Sequence, residues 1–187
     1  MPNRFFAVSN EGELKVRGLE SRRHDTPPIV SRMQREALAI LAEAHDYDSY
    51  SEKLREAGAL LDRYFGCVKD GSACIEELIV SKRMTREPRQ YSKASFVAIA
   101  AQQLYGNGVN LRPGQTIEYV ITDTDAKVPN DRVRAFALWE GWHGYDRAKY
   151  RDMLLEAFQP LELPTTLLRS VGSPAVMRGQ NEADESD

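Results

Sequence analysis

The chain has 187 residues, enough for one ordinary domain or for a small one with appendages, and its 42% apolar and 28% charged residues fit a water-soluble globular protein. No run of about 18 apolar residues occurs, which excludes a membrane-spanning helix, and Met1-Pro2-Asn3-Arg4 enters an apolar stretch without a signal-peptide core, so a cytoplasmic location is expected. The net charge of −3 speaks against a nucleic-acid partner only until it is placed along the chain: Glu182, Asp184, Glu185 and Asp187 follow Arg178 with no base among them, and without those four the remaining 24 acids face 25 bases.

In chain order, Arg4 to Val8 and Glu13 to Gly18 read as two strands around the turn Ser9-Asn10-Glu11-Gly12, a hairpin ending in glycine. A hairpin of this size is unstable alone and is expected to add to a sheet supplied from elsewhere. Thr26-Pro27-Pro28 is a helix start, with Thr26 as N-cap and proline in the first turn. Val30, Met33, Ala37, Ile40 and Leu41 then recur at helical spacing to about Ala44. After the polar break His45-Asp46-Tyr47-Asp48, a second amphipathic helix runs from about Ser49 to Phe65, with Gly66 expected to end it. Two helices with so short a break predict an antiparallel pair.

Leu78-Ile79-Val80 is a short apolar segment. A helix is expected from about Ser95 to Tyr105, with Val97, Ala100, Ala101 and Leu104 inward and Gly106-Asn107-Gly108 closing it. Strands follow at Thr116 to Thr122 and Val133 to Trp139, and a last helix at Asp146 to Phe158. From about Ser170 the chain is small, polar and acidic, the composition of a disordered tail.

Two basic clusters stand out. Arg17, Arg22, Arg23 and His24 precede the first helix; Lys82, Arg83, Arg86, Arg89 and Lys93, with Ser81, Thr85 and Tyr91 among them, precede the third. Arg, Lys and hydroxyl side chains are the groups that hold phosphates without reading sequence, although a solvated charged face has the same composition. Other candidates have plainer readings. Asp123-Thr124-Asp125 could be a pair of metal-binding carboxylates, but a turn built by Asp side chains explains it better. Cys67 and Cys74 lack the paired spacing of a zinc site and read as reduced thiols. His45 and His143 have no partner at metal-like spacing. Neither a glycine-rich phosphate loop nor a nucleophile elbow is present.

Four segments, in order, resemble family-B DNA polymerases, especially archaeal ones. Val16-Arg17-Gly18-Leu19-Glu20 with Arg23-His24-Asp25 looks like the last strand of the palm and its arginine-rich exit. Leu78-Ile79-Val80-Ser81-Lys82-Arg83-Met84-Thr85-Arg86-Glu87-Pro88 with Tyr91 is similar to the duplex-contacting segment of the thumb. Ala98 to Leu104, Leu111-Arg112-Pro113-Gly114 and Ile117-Glu118-Tyr119-Val120 look like the thumb helix and the strand after it, and Tyr145 to Phe158 like the closing helix. The resemblance runs from about Arg4 to Leu168.

It implies an α+β chain: an N-terminal β-hairpin completing a palm sheet (residues 1–25), a mainly helical thumb with a few short strands (26–169), and the acidic tail (170–187). It further implies the small, C-terminal subunit of a split archaeal polymerase, a heterodimer at the nucleoid. Its partner would be a large subunit carrying exonuclease, fingers and catalytic palm, together with primer–template DNA. Arg4, Arg17, Arg22, Arg23, His24, Lys82, Arg83, Arg86, Tyr91 and Lys93 are the expected DNA contacts. This chain would hold no catalytic aspartate and no cofactor, magnesium belonging to the partner. The Asp-Thr-Asp of this chain falls after the thumb-like segments, whereas the catalytic turn of the family precedes them. A Lys-x-Tyr motif of the family's palm aligns with Asn3-Arg4-Phe5, lacking both the lysine and the tyrosine hydroxyl, with Arg4 next to the missing cation. That departure leaves open a non-catalytic, polymerase-derived DNA-binding or regulatory factor.

Overall fold

The computed structural model describes residues 5–8, 14–17, 19, 23, 25–91, 95–141 and 144–161; the hairpin turn, the tail from 170 onward and His143 lie outside them. Strand β1 (Phe5–Val8) pairs antiparallel with β2 (Leu14–Arg17), Phe5 opposite Arg17 and Val8 opposite Leu14. Among the described residues this is a sheet of two strands, and its backbone approaches the first helix.

Helix α1 (Pro28–Ala42) has proline in its first turn, but its N-cap is Pro27 rather than the expected Thr26. Pro27 is extended, and its carbonyl accepts from Val30 N and Ser31 N, both at 3.1 Å. The rigid proline sets the entry of the chain, and no side-chain oxygen caps it. Val30, Met33, Ala37 and Leu41 are buried along one face, while Ile40 lies partly open beside them.

Helix α2 (Tyr47–Asp70) begins with a reciprocal cap: Asp46 accepts from Ser49 N, and Ser49 Oγ accepts from Asp46 N. It does not stop at Gly66 as the sequence suggests. A glycine inside a helix costs about 1 kcal/mol, and the turn beyond it buries Val68, which offsets that cost. The helix ends instead at Gly71, whose φ of 88° is the left-handed conformation that glycine adopts without strain. Arg32, early in α1, bonds Tyr64, late in α2, and Glu43 just past α1 pairs with Lys53 early in α2. The two helices therefore run antiparallel, as expected.

A 3₁₀ turn at Ile75–Leu78 leads into β3 (Val80–Arg83), which pairs antiparallel with β4 (Thr116–Ile121); β4 pairs in turn with β5 (Val133–Ala135). Lys82 and Arg83 of the second basic cluster are thus in a strand. The last strand is shorter than predicted: after Ala135 the chain turns through a 3₁₀ segment, Phe136–Leu138. Gln103 of helix α3 (Phe96–Gly106) ends it. Its side-chain oxygen accepts from Ala135 N at 2.8 Å and its amide donates to Val133 O at 2.8 Å, so a buried side chain takes the place of a further strand.

Helix α4 (Arg147–Phe158), capped by Asp146, locks the halves together. Tyr150 Oη donates to Leu78 O at 2.6 Å and accepts from Ile121 N at 3.0 Å, and Leu154, Ala157 and Phe158 enter the core. Gln34 of α1 donates to Ala157 O at 2.5 Å. Helices α1, α2 and α4 pack together, and α3 covers β4 and β5. The architecture is α+β, as the sequence implies.

Candidate nucleic-acid interface

Arg23 of the first basic cluster and Lys82 and Arg83 of the second, far apart in sequence, meet in space. Asp25, two residues before the prolines that start α1, accepts from Arg23 through both oxygens, Nε at 3.1 Å and Nη2 at 3.3 Å. The same carboxylate accepts from Lys82 Nζ at 3.4 Å. The register of β3 on β4 sets Lys82 opposite Ile117 and on the same sheet face as Val80; next to the end of β3, Lys82 is exposed while Ile117 is buried. The hydrogen bond from Arg23, with lesser help from Lys82, holds the Asp25 carboxyl below its ordinary value of 3.8 despite partial burial. The carboxylate is thus ionised at neutral pH and bridges the two bases.

Arg83 is held at its neck. Its Nε donates to Gly114 O at 3.0 Å, and Gly114 N donates back to the strand end at Met84 O, 2.7 Å. Gly114 has φ of 94°, which the turn needs glycine to adopt, and a Cβ there would stand 3.3 Å from Arg83 Nη2, so that the guanidinium would have to shift slightly. Arg86 is exposed on the following turn. That turn is closed by Tyr91, whose hydroxyl accepts from Thr85 N at 3.1 Å and retains its own proton to donate. Arg89, by contrast, lies over the ring of Tyr105 at 5.0 Å.

Of the expected contacts, Arg23, Lys82 and Arg83 share one surface depression, and Arg86 and Tyr91 lie on the turn that continues from β3. Arg17 is placed by its backbone in β2. Arg4, Arg22, His24 and Lys93 lie outside the described residues. Four participants were not among the expected contacts. Asp25 organises the cluster, and its proximity to Arg23 was the available signal. Lys149 comes from α4 to the same groove as Arg23 and Lys82, which Phe96 and Tyr119 also line; only tertiary packing brings these there.

The remaining candidates have structural occupations. Asp123 Oδ1 accepts from Asp125 N at 3.0 Å, which is the turn the sequence suggests. Thr124 donates from backbone and hydroxyl to Asp146 Oδ2 at 2.8 and 2.6 Å. Burial opposes ionisation of Asp146, but the Thr124 bonds and backbone N–H groups outweigh it and lower its pKa. Cys67 and Cys74 are free thiols, and the Cys74 thiol donates to Glu76 at 2.6 Å. Among the described residues no group of three or more His, Cys, Asp and Glu side chains could hold a metal ion.

Comparison with known proteins places the sequence and the fold in one family. The family model for DNA polymerase family B matches residues 4–163. The chain is 24% identical over 147 residues to a DNA polymerase of Thermococcus sp. (strain 9oN-7), covering 79% of this chain and 18% of that protein. It is 25% identical over 148 residues to a DNA polymerase of Thermococcus kodakarensis, covering 79% of this chain and 8% of the relative. The fold matches the family B DNA polymerase of the hyperthermophilic archaeon Pyrobaculum calidifontis with a TM-score of 0.69 at 17% identity, over 85% of this chain and 20% of that one. The chain therefore spans a fifth or less of the length of these relatives.

Proposed function

The chain belongs to DNA polymerase family B, and from that premise we propose that it is the thumb-bearing small subunit of a two-subunit polymerase, gripping primer–template duplex through its phosphates. In this reading residues 1–25 lend strands to the palm of a larger polypeptide, 26–169 form the thumb, and 170–187 are an acidic tail. The exonuclease, the fingers and the catalytic aspartates with their magnesium belong to that partner.

The observation that carries the reading is the convergence of Arg23, Lys82 and Arg83 on one surface, with Arg86 and Tyr91 on the adjoining turn. Spaced cations and hydroxyls of this kind fix a protein on a duplex without reading its sequence. The two-stranded hairpin supports the partner: its strand edges can extend a sheet by strand addition. The test is reconstitution with a family-B large polypeptide lacking its thumb. Primer extension is expected to rise when this chain is added, and equal activity without it would overturn the subunit reading.

Asn3 and Phe5, in place of a lysine and a tyrosine, favour a second reading, a non-catalytic DNA-binding or regulatory factor. Asn3→Lys with Phe5→Tyr in the reconstituted complex separates the two: a large gain in extension identifies a site that has lost catalysis.

A further inference from the structure

We propose that the groove beside the Arg23–Asp25–Lys82 cluster takes one unpaired nucleotide of a single DNA strand, its base against Phe96 and Met153 and its phosphate among Arg23, Lys82 and Lys149. This rests on the reading of the surface as a DNA contact and narrows what that contact is.

The groove encloses about 340 Å³, at the lower end of the range of about 300–1,000 Å³ typical of small-ligand pockets. Its floor is apolar. Val80, Tyr119 and Ile121 are 5%, 4% and 2% exposed, and Phe96 and Met153 form its half-buried walls. The Phe96 ring meets Tyr119 edge-on, with centroids 6.4 Å apart and planes at 70°, a geometry that fixes the ring. Three cations rim this floor against two acids, Asp25 and Glu156, and Asp25 is already engaged by Arg23 and Lys82.

Duplex DNA offers a protein phosphates and sugars, while the faces of its bases are stacked inside. An apolar, aromatic floor under cations has no use for such a ligand, but it matches a strand whose bases are exposed. Three other grooves among the described residues offer less: in the one at Tyr64, Arg32 already lies over that ring at 5.5 Å and pairs with Glu77. The one between α2 and α4 contains Phe65, but Arg151 lies over that ring at 5.1 Å and Arg147 is bonded to Lys69 O at 2.7 Å. The one lined by Leu104, Leu111, Ile117 and Phe136 has Glu118 and no cation.

The test is fluorescence anisotropy on the full chain with two labelled probes, a short oligothymidylate and a blunt hairpin duplex. Phe96→Leu keeps an apolar side chain while removing the stacking face, and its melting temperature is measured alongside. It is expected to weaken oligothymidylate binding on the order of ten-fold and to leave the duplex unchanged. Lys149→Ala is expected to weaken oligothymidylate binding and to lower its salt dependence by about one phosphate contact; should Phe96→Leu fail to fold, this variant decides. Oligothymidylate binding that neither variant alters, or that falls together with duplex binding, overturns the proposal. A chain that binds duplex but no oligothymidylate overturns this inference alone; a chain that binds neither overturns the DNA reading with it.

Discussion

Lys82 Nζ lies 3.4 Å from Asp25 Oδ2, a contact that ties the segment leading into α1 to the first strand of the three-stranded sheet. Through it Arg23 and Lys82, one from each basic cluster, share a single carboxylate. That carboxylate orders Arg23 and Lys82 and at the same time subtracts one charge from the field that a phosphate meets.

Asp25→Asn therefore separates ordering from charge. A unit charge in water at contact distance is worth about 1 kcal/mol, so we expect duplex affinity to rise up to about five-fold at low salt, fading at high salt as screening grows. Stability should fall by about 1 kcal/mol or less, since Arg23 and Lys82 are exposed and Asp25 is only partly buried. The pKa of Asp25 is depressed in the folded protein, so its contribution is complete above the unfolded value near 3.8 and is lost as pH falls through the folded one. Acid unfolding of the variant should lack that part of its pH dependence below about pH 4, as read by circular dichroism.

Gly114→Ala tests the support of Arg83. A side chain at φ of 94° is strained, and its Cβ would press on the guanidinium. We expect a loss of about 1–2 kcal/mol in stability and a fall in duplex affinity comparable to that of Arg83→Ala. Unchanged affinity in a folded Gly114→Ala variant would remove Arg83 from the contact.

How much of this was readable beforehand depends on where the information lies. The antiparallel helix pair and α4 were legible because their apolar spacing and the cap at Asp146 are local. The extension of α2 past Gly66 was not: the packing of Val68 outweighs a local stop signal. The end of β5 was hidden for a similar reason, since Gln103 supplies its last hydrogen bond from 32 residues away. At the site, the bases were visible as clusters and the family resemblance gave them a purpose. Their meeting at Asp25, the arrival of Lys149 and the apolar floor under Phe96 depend on pairing register and helix docking, which composition does not encode.

Tyr150→Phe removes a buried hydroxyl that satisfies Leu78 O and Ile121 N. Each group left without a partner costs about 1–3 kcal/mol, so a loss of about 2–4 kcal/mol in urea unfolding is expected.

Tyr119 contributes to the alkaline limb, beside Tyr150, whose pKa is also pushed up by burial. Burial, with a smaller push from the charge of Asp25, raises the Tyr119 pKa from 10.0 to about 12. A raised folded value means that this group favours the folded state below the unfolded pKa and loses that effect as pH climbs through the folded one. Stability should therefore fall between about pH 10 and 12, by about 2–3 kcal/mol from this group, and Tyr119→Phe should flatten that part of the curve.

The central claim, that this surface grips duplex DNA through phosphates, is tested most directly by titrating a labelled primer–template with the chain over a range of salt concentrations. Affinity should drop steeply with salt, and Arg83→Ala with Arg86→Ala should weaken binding similarly on all sequences while reducing the number of released counterions by about two. Binding that is insensitive to salt, or identical in the double variant, would contradict the account.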